Sequence, residues 1–588
     1  MQAPNNTSIV VLPFMNMSGD ADNTYFSDGI TEEIINALTT IPGLRVIART
    51  SAFAFKGKHI DIRSIAQQLG VSTVLEGSVR KQGDRVRVTA QFINAADGSH
   101  FWSKNYDRQL HDIFAIQDEI SLLIAEQIRE NFGHLEVEGN LKPHTVPATA
   151  AYDHYLKGLF YLKRKDFEDI KQAIGSFNEA VAIDPHYAEA HACLAEAYIH
   201  YMGFGEMDLN EAYTQIGTHI AQAMAADPEN ARAYKIDAYM KLFAWDWAGT
   251  ETAYQKALDL GLPAANEFVS YYHIFVKNEK AHAIGLAQNL LLTDPLHAFS
   301  HWQLGACYYF DRQFEQALQA FDHALALEPR FGEALRWKGL VLGYLGRFEE
   351  ALPLLDQALE VTQGQLLAKM DQLTVKILMG EKEAVLQEME EISFHDPCDP
   401  AQLYALLDMP EKALPFLEQG LAQHSIMMIS LRYFFVWDNL RGHDRFQALI
   451  QQMKFPEAGN PAPTKDTPKA LLEASEIQAY SQQLDALMQA ETLYTNPDLN
   501  LRALAQRLGL TPNKLSWLLN AHYQQNFNGY INGLRLALFK QKALEPTNQK
   551  LTLLGLAYEC GFNSKTVFNT YFKKAEGQPP KAWLAQQR

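Results

Sequence analysis

Near the end of the chain, one pattern of apolar and polar positions occurs twice. Leu501, Leu504, Ala505 and Leu508 stand at i, i+3, i+4 and i+7, one face of a short helix. Leu553, Leu556, Ala557 and Cys560 repeat that spacing. Each run meets a glycine that permits a tight turn, Gly509 or Gly561, and then a capping hydroxyl, Thr511 or Ser564. The pattern predicts a helix, a turn and a capped second helix, two times over. Between the copies a helix is expected over about 527–544, stopped by Pro546, and ahead of them another over about 471–492.

The start of the chain has a different rhythm. An apolar run at 8–13 suits a buried strand, and Ile30, Ile34 and Leu38 mark a helix over 29–40. A second strand (44–48) and a second helix (62–69) follow. Strands at 73–80 and 85–93 flank Gln82-Gly83-Asp84, and Arg85, Arg87, Thr89 and Gln91 alternate with Val86, Val88, Ala90 and Phe92. A strand at 100–106 and a helix at 113–132 complete a small α/β sheet domain over 8–133.

Between these ends lie helical stretches punctuated by proline at 185, 228, 263, 295, 329 and 397, each expected to end a helix. The steps are 43, 35, 32, 34 and 68, the last being twice 34. A period of 34 is that of tetratricopeptide repeats. Ala317, Phe321, Ala324 and Pro329 form one copy, and Ala173, Phe177, Ala180 and Pro185 another. The long first step implies an insertion within 201–210, and the repeats over 360–396 are degenerate. Stacked pairs would build an α-solenoid over 150–453 with a concave groove for a protein or peptide partner. A proline-rich linker over 454–470 then leads to the tail, 471–588. The fold class is therefore multidomain, α/β plus all-α.

Charge sharpens this division. The 588 residues carry a formal charge of −18, yet from Asn496 onward there are twelve Lys and Arg against four Asp and Glu, a net +8. A basic module on an acidic protein is the footprint of polyanion binding, and the acidic repeats could dock the basic tail. Four scattered cysteines read as small buried residues. No leader precedes Ser8 and no apolar run is long enough to span a membrane, so a cytoplasmic protein is expected. His186, His191 and His200 are too irregularly spaced for one metal-binding helix face, and Trp245, Trp247, Trp302 and Trp337 read as repeat core. Arg49-Thr-Ser51 with Lys56 and Lys58, and Asp20, Asp22 and Asp28, read as solvated loop rather than as an anion or metal site. No cofactor or metal is expected, and no Walker A loop, GxGxxG, HExxH or GxSxG pattern occurs. An enzyme is not expected.

The tail segments LRALAQRLGLTPNKLSWLLN, NFNGYINGLRLALFKQKAL and LGLAYECGFNSKTVFNTYFKKAEGQPPKAW resemble the AraC/XylS family of transcription regulators. The segments VLPFMNMSGDADNTYFSDGITEEI and LGVSTVLEGSVRKQGDRVRVTAQFINAADGSHFWSKNYDR resemble the TolB amino-terminal-like domain, which implies an accessory or sensory module. In the tail, periodicity turns Leu515, Leu518 and Leu519 inward, together with the more apolar Val567, Phe568, Tyr571 and Phe572. The outward positions are Asn513, Lys514, Ser516 and Trp517, then Lys565, Thr566, Asn569 and Thr570, where the resemblance implies base reading. Arg535, Lys573 and Lys574 are expected on phosphates. Trp517 and Thr570 stand where many family members carry arginine, so no known target sequence carries over. The expected function is a sequence-specific regulator whose other modules sense a signal or bind a partner. Its partners would be double-stranded DNA, a protein or peptide in the groove, and RNA polymerase. The alternative is a repeat scaffold whose tail no longer reads DNA.

Overall fold

The computed structural model describes residues 8–18, 24–39, 41, 43–83, 85–109, 130, 149–162, 167–202, 207, 209–262, 271–362, 365–394, 396–456, 472–548 and 551–587. The helix expected over 113–132 lies outside them apart from Glu130, as do Asp20, Asp22, Pro263, half of the 201–210 insertion and most of the 454–470 linker.

The first module is a mixed sheet in the order β3-β1-β4-β5-β6, with the short β2 beside β4. Its strands are β1 (Ser8–Val11), β2 (Met15–Asn16), β3 (Arg45–Val46), β4 (Thr73–Gln82), β5 (Arg85–Asn94) and β6 (His100–Gln109). Parallel pairing joins β1 to β3 and β4, whereas β4, β5 and β6 are antiparallel. The alternation read in β5 is real: Val86, Val88, Ala90 and Phe92 are fully buried while Arg85 and Arg87 are exposed. Those buried residues face α1 (Thr24–Thr39), and the opposite face, through Val10, Val74 and Ile93, packs on α3 (Ile62–Leu69).

Where a loop was expected at 49–53, the chain forms a short helix, α2 (Arg49–Phe53). Its polar groups hold the structure together. Arg49 pairs with Glu32, and Lys56 with the buried Asp28 at 2.6 Å. The Thr50 hydroxyl donates to Asp294 at 2.6 Å, and the Ser51 hydroxyl and N–H donate to the same carboxylate at 2.6 and 3.1 Å. The Ala48 N–H adds a bond to the Thr293 carbonyl at 2.8 Å. The sheet module is thus stapled to the middle of the helical array. It also sits on the array's first helix, where Tyr25 and Lys81 reach Asp153 and the Leu156 side chain lies against Gly29.

Helix pairs follow, from Thr149–Leu162 with Phe167–Ile183 to Cys398–Leu406 with Pro410–Ala422. Helices end at Ile183, Ala226, Thr293 and Leu327, each two residues before a proline. Pro397 differs: it stands at the N-cap of Cys398–Leu406 and opens a helix instead of closing one. Close pairing needs small residues, and a Cβ on Gly305 would stand 2.4 Å from the Phe321 ring. The array closes on itself. The Trp247 indole donates to the Met453 carbonyl at 2.9 Å, Phe434 touches Phe275 and Phe310, and Arg312 pairs with Asp438. Cys193, Cys307, Cys398 and Cys560 are buried, as expected of small interior residues. His191 bonds His219 and the Pro185 carbonyl rather than converging with His186 and His200.

The seam between module and repeats carries a titratable group. Desolvation, with Glu189 and Glu32 nearby, pushes the Glu33 carboxyl from 4.5 up to about 8. A raised folded-state value means that the contribution to stability is present at low pH and lost as pH rises through that value. The unfolding midpoint should therefore fall between about pH 4.5 and 8, and Glu33→Gln should flatten that part of the profile. A pH series of thermal melts on both chains checks it; coincident profiles would refute it.

Candidate nucleic-acid interface

The tail opens with α4 (Ala474–Glu491), whose Leu484 and Met488 pack on the first motif. That motif is α5 (Leu501–Arg507) and α6 (Pro512–Ala521). The long α7 (Phe527–Leu544) leads to the second, α8 (Leu553–Glu559) and α9 (Lys565–Glu576), and α10 (Pro580–Gln587) closes the unit. Local chemistry sets these boundaries. Side chains of Asn500, Thr511, Asn526, Thr552 and Ser564 each accept a backbone N–H at a helix start. Gly509 and Gly561 both turn with positive φ, +66° and +96°.

Each motif has its own core, and α7 serves both. Its Phe527, Tyr530 and Ile531 join the first cluster, and Leu536, Phe539 and Ala543 the second. At 18 residues, α7 spans about 27 Å. Three contacts fix one motif against the other. The Arg535 guanidinium donates to the Tyr494 carbonyl at 2.6 Å, the Asn496 carbonyl at 2.8 Å and Asn532 Oδ1 at 3.2 Å. The Gly561 turn lies against Tyr494 and Thr495. The Tyr571 hydroxyl donates to the Gly529 carbonyl at 2.9 Å, with Gly533 also beside it.

Arg535 is therefore not a phosphate contact. It is 6% exposed, every donor set it offers points into the tail, and burial pulls its pKa down to about 10. Ser516 is 2% exposed and turns inward with Leu515, Leu518 and Leu519, so it offers no group to a base edge. Trp517 is half-buried against the first core. Lys514 is half-exposed, and the side chains of Asn513 and Thr566 lie outside the described residues. On α9, Lys565, Thr570, Lys573 and Lys574 are exposed, and the Asn569 side-chain amide donates to the Lys565 carbonyl at 2.9 Å. Phe568 and Phe572 are buried as expected, but Val567 is 40% exposed on the same helix. Helical spacing places Val567 with Thr570 and Lys574, a position the apolar pattern alone had turned inward.

Electrostatics narrows the basic surface. Arg507 pairs with Glu491, Lys540 with Glu576 and Lys542 with Glu559. Among the described residues, Lys514, Lys565, Lys573 and Lys574 form no ion pair, and all four stand on α6 or α9. The second helices of the two motifs thus carry cations still open to an anion, and Lys581 on α10 is likewise exposed.

Three family models match parts of the chain. Residues 504–586 match a helix-turn-helix domain of the AraC type, and residues 5–123 the second domain of HilA/YgeH-like transcriptional regulators. Residues 162–245 match the plant-specific mitochondrial import receptor subunit TOM20. A curated relative, "Putative adenylate cyclase 3" of Rhizobium meliloti (strain 1021), is 43% identical over 194 residues, 33% of each chain. The chain thus spans about a third of that relative's length. Solved structures with matching segments include YrrB, described as a TPR protein with an unusual peptide-binding site. It is 19% identical with a TM-score of 0.23, covering 33% of this chain and 95% of that one. PilF of Pseudomonas aeruginosa is 19% identical with a TM-score of 0.27, covering 38% and 96%.

Proposed function

We propose that this chain is a transcription regulator that reads double-stranded DNA with α6 and α9, while its α/β and repeat modules receive a signal or a protein partner. The observation that carries this is the pairing of two capped helix-turn-helix units on one shared helix, with open lysines on both second helices. Docked in successive major grooves, the two helices would let a single chain bind without a symmetric partner. Asn569 is the base reader on α9, exchanging its bond to the Lys565 carbonyl for an adenine edge, and Val567 offers an apolar contact for a thymine methyl. Lys565 and Thr570 flank them, Lys514 and Trp517 serve the same purpose on α6, and Lys573 and Lys574 hold phosphates. Asn513 and Thr566 complete the base-reading set that the family resemblance implies.

The same reading places the protein in the cytoplasm, with RNA polymerase as a further partner and no chemistry of its own. Residues 8–133 are taken as a TolB amino-terminal-like sensory module, whose embedding against the repeats suits a relay better than a separate enzyme.

Selection of random-sequence duplexes on the full chain tests the proposal. An enriched motif is expected, with a log–log salt slope of about 0.9 per phosphate contacted. Lys573→Ala should reduce that slope by about one contact without altering the motif. Asn569→Ala should relax one base position by about 1–3 kcal/mol. Weak binding without enrichment would favour the scaffold.

A further inference from the structure

The helical array holds a half-open chamber of about 680 Å³. Small-molecule sites run to about 300–1,000 Å³ with mostly apolar walls. Its walls include Tyr239, Phe299, Trp302, Trp337 and Phe434. The segment 426–434 crosses the concave side and rests Phe434 on Phe275 and Phe310. That crossing makes a chamber of what would otherwise be an open trough.

The charges of the lining are unequal. Five carboxylates face it, Glu196, Asp294, Glu333, Asp371 and Asp399, against the two cations Lys235 and Arg336. Most are already matched. Lys235 holds Glu196 at 2.7 Å, Arg336 holds Asp371 and Glu333 at 2.8 Å, and Asp294 takes Thr50, Ser51 and His297. Asp399 forms no ion pair among the described residues; its carboxylate accepts a backbone hydrogen bond from Asp396, and the Asp396 carboxylate acts on it as a like charge. Burial and that neighbour push its pKa up to about 6, which leaves it ionised at neutral pH. A carboxylate without an ion pair, in a chamber whose walls also carry aromatic rings, is an environment that attracts an ammonium group.

We propose that the chamber binds a small organic cation, an amine or quaternary ammonium on an aromatic-sized apolar body, with Asp399 opposite the charge. Trp302 and Trp337 flank the body. This deepens the sensing role proposed above, since Asp294 in the same lining also holds the α/β module through Thr50 and Ser51.

The full chain would be titrated calorimetrically with tyramine, tryptamine, 4-phenylbutylamine and benzyltrimethylammonium, each beside a carboxylate on the same body. At least one cation should bind tenfold or more tightly than its carboxylate, and Asp399→Asn should weaken it about tenfold. Gln402→Lys sets a tethered ammonium one helical turn from Asp399 and should abolish binding while the unliganded chain keeps its melting temperature. The proposal is overturned if no cation binds, if the carboxylates bind as well, or if Asp399→Asn binds as tightly as the parent. Tighter capture of an extended Lys-rich peptide than of any amine would also overturn it. Amine binding by a chain that selects no DNA would still establish the chamber, so the two readings fail separately.

Discussion

Replacing Arg535 with methionine should cost the tail about 3 kcal/mol, because the Tyr494, Asn496 and Asn532 oxygens lose a buried donor set together. Lysine should fare little better: one ammonium cannot span acceptors that a planar guanidinium fork reaches at once. Hydrogen exchange along α7 in the full chain would register the loss as faster exchange near its middle. The effect on DNA separates two roles. As a fastener, Arg535 sets the angle between the recognition helices, so Arg535→Met should weaken binding to a selected site at least about tenfold while leaving the salt slope unchanged. A phosphate contact would behave in the opposite way, with the slope falling by about 0.9 and Arg535→Lys nearly neutral. That second outcome would refute the fastener role.

The next largest effect is expected at Gly561. A Cβ there would lie 2.6 Å from the Tyr494 carbonyl oxygen and 2.8 Å from Thr495 backbone atoms, on a residue with φ of +96°. Neither the backbone nor the neighbouring motif can yield cheaply. Gly561→Val should destabilise the tail by about 3 kcal/mol or more. Gly509 occupies the equivalent turn in the first motif with φ of +66°, but nothing lies within 4 Å of its Cβ direction. Gly509→Ala should therefore cost only the conformational strain, about 1 kcal/mol. Limited proteolysis of both variants, scored at tail sites, measures the difference. Equal losses would show that the contact with Tyr494 and Thr495 contributes nothing.

That comparison also shows where the sequence is legible. Both glycine turns and both hydroxyl caps could be read because a turn and a cap depend on residues within about four positions of each other. The spacing of Ala317, Phe321 and Ala324 along one helix and the alternation in β5 are local in the same sense. What separates Gly509 from Gly561 depends on residues 494 and 495, more than sixty positions before Gly561. Arg535 misled for that reason: in a tail of net charge +8, nothing adjacent distinguishes a buried fastener from a surface cation. Val567 and Ser516 show a second limit. Over two or three helical turns, one apolar or hydroxyl residue at the edge of a face reads either way, and tertiary packing decides. The chamber was invisible for a third reason. Its walls come from helices spread between residues 196 and 434, and Trp302 and Trp337 follow the same spacing as true repeat core.

The double attachment of the sheet module has a mechanical consequence. An array of stacked helix pairs touches only its neighbours, so its pitch stretches and twists as an elastic coil does. Here one rigid sheet grips the coil at two places, at Asp153 and Leu156 in the first helix and at Thr293 and Asp294 about 140 residues later. The turns between those grips cannot lengthen without breaking one of them. The first half of the array is thereby converted from a spring into a strut, and force or strain applied to either end is passed to the sheet rather than absorbed by uncoiling.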